Sequence, residues 1–269
     1  MNPKIFTFPL TGPIKLAVQV GHGSLAVAAR DGLAEATVTL TARGDLLERC
    51  TVELRGDTLH VRAPRQGGLL DLIAGWRKDR DTIDVVVEVP TGTAAKLASA
   101  TADITVTGQI GAADVATGHA SIDLGTVAGD LRLRYGNGES RVGTVSGSVQ
   151  LKAGRVEARF GEVGGSLACG FGSGSLTAGA VRGDLHARSG AGSTSVDAAY
   201  GNVDLATGHG SLSIGVPDGL SVQLDITTGS GVLHSDLPVQ DAPRAGARVV
   251  TLRAQTGSGH VRLHRAPAA

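Results

Sequence analysis

Three observations predict an all-β fold, a single-chain β-solenoid (β-helix) with 18-residue coils, capped by short β-strands at both ends. Glycine recurs at Gly111, Gly129, Gly147, Gly165, Gly183, Gly201 and Gly219, 18 residues apart without slippage. A second glycine follows seven residues after each of the first six, at Gly118, Gly136, Gly154, Gly172, Gly190 and Gly208. Between them apolar and polar residues alternate with period two, the pattern of strands with one buried face. Self-similarity at a fixed period marks stacked units, none of which can bury its apolar face alone.

Residues 1–90 lack the period and read as an N-terminal β cap. Its strands are expected at 14–20, 24–28, 36–41, 50–54 and 58–62, with Arg55-Gly56-Asp57-Thr58 as a hairpin turn. Such a cap covers the first strand edge, which otherwise invites aggregation. Within it, 63–82 breaks the alternation: an apolar run holding Leu70, Ile73 and Trp76 precedes Arg77-Lys78-Asp79-Arg80-Asp81. This reads as a loop or short amphipathic helix. It either folds its leucines onto the cap or presents them to a partner. Strand character returns over 82–89, and Pro90-Thr91-Gly92 turns the chain.

The solenoid core spans 91–219, with 96–107 as a first irregular coil. Counting from each leading glycine, offsets 2 and 4 are apolar, as in Leu131/Leu133 and Val149/Leu151. Offsets 11 and 13 are apolar again, as in Ala158/Phe160 and Leu212/Ile214, and offset 16 is Val127, Val145, Val163 and Val181. Each coil is therefore expected to contain two short strands, with the glycines supplying positive φ at the corners. Aromatic residues make up only 3% of the chain, which suits a narrow core. Cys169 stands in the column of Leu133 and Leu151, and Cys50 is in phase with Val52 and Leu54. Both read as buried hydrophobes.

Residues 220–269 read as C-terminal coils and cap. Strands are expected over 220–226 and 232–237, then a proline-containing loop, then strands over 248–252 and 260–264. A Thr-Gly phrase at Thr117, Thr207, Thr228 and Thr256 links these coils to the repeat.

Gly129-Asp130-Leu131-Arg132-Leu133, Gly165-Ser166-Leu167, Gly183-Asp184-Leu185 and the Thr-Gly-Ser-Gly phrases resemble bacterial DUF4097-type β-strand repeat proteins, the family of putative adhesins. The resemblance covers nearly the whole chain, and the arginine-rich, lysine-poor composition looks like that of an actinobacterial member. It implies a β-solenoid and a non-catalytic interaction role, and it brings no catalytic residues or cofactor.

Candidate chemistry is sparse. His119 and His209 share an offset but lie five coils apart, about 24 Å at the strand spacing, far beyond a shared metal's reach. The carboxylates Asp184 and Asp204 fall on a diagonal about 8 Å long, compatible with an inverting glycosidase pair in a glycan-binding or carbohydrate-active solenoid. Their neighbours are serine, alanine and glycine rather than sugar-stacking aromatics, which favours carboxylates that solvate a face or cap turns. Gly170-Phe171-Gly172-Ser173-Gly174 has no helix after it to present to phosphate. No metal, cofactor or catalytic residue is therefore predicted.

Basic residues cluster at Arg132, Arg134, Arg141, Lys152, Arg155 and Arg159, interleaved with Asp130, Glu139, Glu157 and Glu162. The cluster reads either as a solvated face with cross-strand pairs or as a docking face for an acidic partner. With Lys+Arg 25 and Asp+Glu 25 the net charge is zero, which gives no general argument for nucleic acid. No signal-peptide pattern or membrane span is read, so the expected location is cytoplasmic, with a surface location left open. The expected partner is an unknown or envelope-associated protein, together with homo-oligomers formed by end or face stacking.

Overall fold

The computed structural model describes residues 3–43, 45–63, 82–237 and 248–267. It is 77% strand and 2% helix, an all-β solenoid. Two compact units divide the chain, Met1–Ala128 and Gly129–Ala269.

The first unit contains β1 (Lys4–Pro9), β2 (Lys15–Arg30), β3 (Glu35–Ala42), the single-turn helix α1 (Leu46–Arg49), β4 (Thr51–Arg55), β5 (Thr58–Arg62), β6 (Thr82–Pro90), β7 (Ala94–Ile110) and β8 (Ala113–Val127). β2, β7 and β8 are successive parallel coils, with Lys15 beside Ala94 and Ala95 beside Ala113. The coil on the other edge of β2 is assembled from two pieces. β5 pairs with its first half from Lys15, and β6 with its second half from His22. Short antiparallel strands close this end: β4 lies on β5, β3 on β6, and β1 on β3.

The irregularity foreseen around 96–107 is a bulge. The register of β7 on β8 shifts between Val106 and Gln109, one extra residue being absorbed at Gly108 with φ 80°. That φ suits glycine, which has no Cβ to strain. α1 was not foreseen. Cys50 ends it, half-buried rather than buried, its thiol donating to the Leu46 carbonyl at 3.1 Å.

The second unit is the regular stack. β9 (Leu131–Val145), β10 (Val149–Val163), β11 (Leu167–Val181) and β12 (Leu185–Ala199) are each 15 residues long. They pair in parallel at an 18-residue register: Leu131, Val149, Leu167 and Leu185 are vertical neighbours. Each coil is one bent strand rather than the expected two short ones. Leu131, Leu133 and Tyr135 are buried before the bend, and Ser140 and Val142 after it. The odd step from 135 to 140 shows that the inward parity flips there.

The expected reason for the periodic glycines needs correction. Among them, only Gly219 has a positive φ. For Gly154, Gly172 and Gly208 the reason is close approach of the preceding coil. A Cβ on Gly154 would lie 2.6 Å from the Gly136 carbonyl oxygen, on Gly172 2.8 Å from that of Gly154, and on Gly208 2.6 Å from that of Gly190. Coils about 4.8 Å apart leave no room for a methyl group pointing along the stack.

The core columns interdigitate large with small side chains. Tyr135, Ala153 and Phe171 are register neighbours, as are Val142, Phe160 and Ala178. An alanine thus stands beside each ring in the register, and the Phe171 ring reaches toward Gly192 of the next coil. Cys169 is 7% exposed in its predicted column, and burial pushes its thiol well above the ordinary range.

Beyond β12 the spatial order departs from the chain order. β13 (Val203–His209) and β14 (Leu212–Val216) form the next coil, followed in sequence by β15 (Leu220–Ser230), β16 (Leu233–Ser235), β17 (Arg248–Ser258) and β18 (Val261–Arg265). In space, β17 pairs with β13 and β18 with β14, while β15 and β16 pair with the far edges of β17 and β18. The chain skips one level after Val216 and returns to fill it. Charge favours this order. Direct stacking of β15 on β13 would put Asp225 over Asp204, whereas insertion of β17 puts Arg253 between them, 3.0 Å from Asp225.

Candidate functional site

The outward rows of β9 and β10 carry the densest positive charge of the second unit. Alternation turns Arg132, Arg134, Gln150 and Lys152 outward on the first half of their coils, all exposed. The register places Arg132 beside Gln150, Arg134 beside Lys152 and Asn137 beside Arg155. Arg132 Nε donates to Gln150 Oε1 at 3.2 Å. Neighbouring coils are ~4.8 Å apart and alternate residues ~6.7 Å along a strand, so the four cations form a small flat grid.

Past the bend, arginines face glutamates. Arg141 Nη2 is 3.0 Å from Glu139 and Arg159 pairs with Glu157, each within its strand, while Arg182 Nη2 reaches Glu162 of the coil before at 2.9 Å. Arg182 also lies over the Tyr200 ring at 4.4 Å. Arg132, Arg134 and Lys152 are thus brought together with Arg155, while Arg141 belongs to the other half of the coil and is engaged there. Leu70, Ile73 and Trp76 lie outside the described residues. In the sequence their segment lies between β5 and β6.

Asp184 and Asp204 have separate roles. Asp184 Oδ1 accepts from the Asn202 backbone N–H at 2.9 Å and from Asn202 Nδ2 at 3.2 Å. It is one rung of a ladder in which a short side chain of each coil accepts from the backbone N–H one coil on. Asp130 holds Ser148 N at 2.8 Å, Ser148 Oγ holds Ser166 N at 3.2 Å, Ser166 Oγ holds Asp184 N at 3.3 Å, and Asn202 Oδ1 holds Thr251 N at 3.0 Å. Sequence reasoning missed this ladder. Its signal is that Asp130, Ser148, Ser166, Asp184 and Asn202 are all short oxygen acceptors at one offset. Asp204 instead faces His186 Nδ1 at 3.5 Å and Arg188 Nη2 at 3.6 Å.

The recurrent Thr-Gly phrase also has a structural role. The Thr207 hydroxyl donates within the bend to His209 O at 3.1 Å or to Gly192 O of the coil before at 3.2 Å, and Thr256 reaches Gly210 O at 3.2 Å. The histidines are dispersed: His209 contacts Ser258 at 2.6 Å and His234 contacts Asp236 at 3.0 Å. Among the described residues, no three His, Cys, Asp or Glu side chains gather as a metal site. No helix among them is long and apolar enough to cross a membrane.

No protein-family model matches the chain, and no curated protein matches it. Solved structures resemble it over nearly full length at low identity. A putative adhesin from Parabacteroides distasonis is 12% identical, with 97% of each chain covered and a TM-score of 0.45. A putative cell adhesion protein from Clostridium sporogenes is 11% identical, with 98% of this chain and 100% of that chain covered and a TM-score of 0.24. A putative lipid binding protein from Parabacteroides distasonis is 11% identical, with 97% and 96% covered and a TM-score of 0.34.

Proposed function

We propose that the protein is a non-catalytic interaction protein whose rigid sheet presents Arg132, Arg134, Lys152 and Arg155 to an acidic protein partner. The observation that supports this reading is the gathering of Arg132, Arg134, Lys152 and Arg155 on exposed positions of two neighbouring coils. On the other half of the same coils Arg141 pairs with Glu139 and Arg159 with Glu157, so basic and acidic residues alternate there. A cationic grid on a preorganised sheet gives electrostatic steering without a cost of ordering loops. Asp184 and Asp204 support the same reading, because each carboxylate is engaged by its own partners.

Poly-L-glutamate is a suitable probe. At low salt the native protein should bind it, and Lys152→Glu with Arg132→Glu should weaken binding at least about tenfold. Arg141→Glu, on the balanced half, should leave it within about twofold. Equal losses from both substitutions, or binding indifferent to salt, would refute the assignment.

A further inference from the structure

We infer that the outermost coil, β15 with β16, is a self-association surface, and that its occupant is the same coil of a second copy of this chain. Two features of that coil point to a partner. First, its inward column residues are open to solvent: Leu224 is 42% and Leu233 44% exposed, whereas their register neighbours Leu252 and Val261 are 2% and 0% exposed. Val232 beside them is 62% exposed. Second, β15 is 11 residues long and, among the described residues, has a strand neighbour only on the β17 side.

The composition of the edge selects the occupant. Proteins defend free strand edges with lysine, proline, charge or shortness. The first unit does so. Its edge strand β1 carries Lys4 and Pro9, and its other edge strand, β4, is five residues long with Glu53 paired to Arg55 at 2.9 Å. From Leu220 to Ser235 there is no lysine, arginine or proline, and the one carboxylate, Asp225, is neutralised by Arg253. An undefended edge on the second unit and defended edges on the first disfavour growth by pairing one with the other. They favour a closed pair about a two-fold axis, β15 running antiparallel to its counterpart. The area fits such a pair. A coil with a perimeter of roughly 60 Å buries with its rim side chains about 500 Å² per copy, about 1,000 Å² in total, the size of a weak reversible interface.

Sedimentation equilibrium of the full chain from about 1 to about 200 µM tests this, with hydrogen exchange of the β15 amides followed over the same range. The expected result is a monomer–dimer equilibrium with β15 protection that rises with concentration. Val232→Lys and Leu233→Lys should each raise the dimer dissociation constant at least about tenfold while keeping the native circular dichroism, and Ile5→Lys on β1 should leave it unchanged. Four results would overturn the inference. They are a monomer throughout, a mass that grows past the dimer without limit, a dimer dissolved by Ile5→Lys but not by Val232→Lys, and a monomer whose β15 amides are already protected at the lowest concentration. The last would mean that the chain covers its own edge.

Discussion

At the scale of single residues, a methyl group discriminates the two possible reasons for a glycine. Gly172 and Gly170 are two residues apart on β11 and neither has a positive φ. A Cβ on Gly172 would lie 2.8 Å from the Gly154 carbonyl oxygen, while one on Gly170 meets nothing within 4 Å. Gly172→Ala should therefore destabilise the second unit by about 1–3 kcal/mol, since a backbone oxygen cannot move aside. Gly170→Ala should be neutral or stabilising by about 0.4–1 kcal/mol through the unfolded chain's entropy. Denaturant midpoints of the two variants, compared at constant slope, check the contrast. Tyr135 provides a second residue-scale test. Its hydroxyl is buried against Ser140 Oγ at 3.0 Å, and burial pushes its pKa up to about 12. The protonated form is the one the fold favours, so this contribution is complete below pH ~10 and is lost as pH rises toward ~12. Stability in that window should fall by about 1.4 kcal/mol per pH unit more in the native protein than in Tyr135→Phe. Parallel alkaline profiles would contradict the assignment.

At the scale of elements, the sequence made some strands legible and hid others for identifiable reasons. Leu131, Val149 and Leu167 could be read as one column because the period is unbroken there. The bend inside each coil was partly visible, since apolar offsets 2 and 4 give way to 11 and 13, but not that one continuous strand passes through it. The mechanism of the glycine columns was misread because positive φ and close approach leave the same residue in the sequence. The exchange of β15 and β17 was not legible at all. Each has correct alternation, and what separates them is a cross-strand charge relation, Asp204–Arg253–Asp225, between residues 49 and 28 positions apart. Arg253→Glu would line up three carboxylates on this exposed column. The expected effect is a loss of about 1 kcal/mol, seen as faster hydrogen exchange in β15 and β17 than in β10 and β11. Uniform change along the stack would mean that the charge relation does not set the order. The candidate site was legible in composition but not in partition. The basic cluster stood out, yet only the parity flip after Tyr135 separates Arg132, Arg134 and Lys152 from Arg141.

At the scale of the molecule, each unit is a stack in which residues distant in sequence become vertical neighbours, so stability is local to adjacent coils and surfaces are periodic. Function follows from the same geometry. A rigid coil lattice converts an arrangement along the chain into a grid, and the two proposed partner surfaces are parts of that grid. All of this depends on the 18-residue register, and disulfide trapping measures that register directly. Ser175 and Ser193 are outward register neighbours on β11 and β12. At the ~4.8 Å spacing of adjacent strands, paired cysteines there have bridging geometry. Ser175→Cys with Ser193→Cys should oxidise to a disulfide in near-quantitative yield without loss of native circular dichroism. Ser175→Cys with Ser195→Cys, displaced two residues along the strand to about 8 Å, should stay reduced. Bridging of the displaced pair, or of neither pair, would contradict the stacked-coil account.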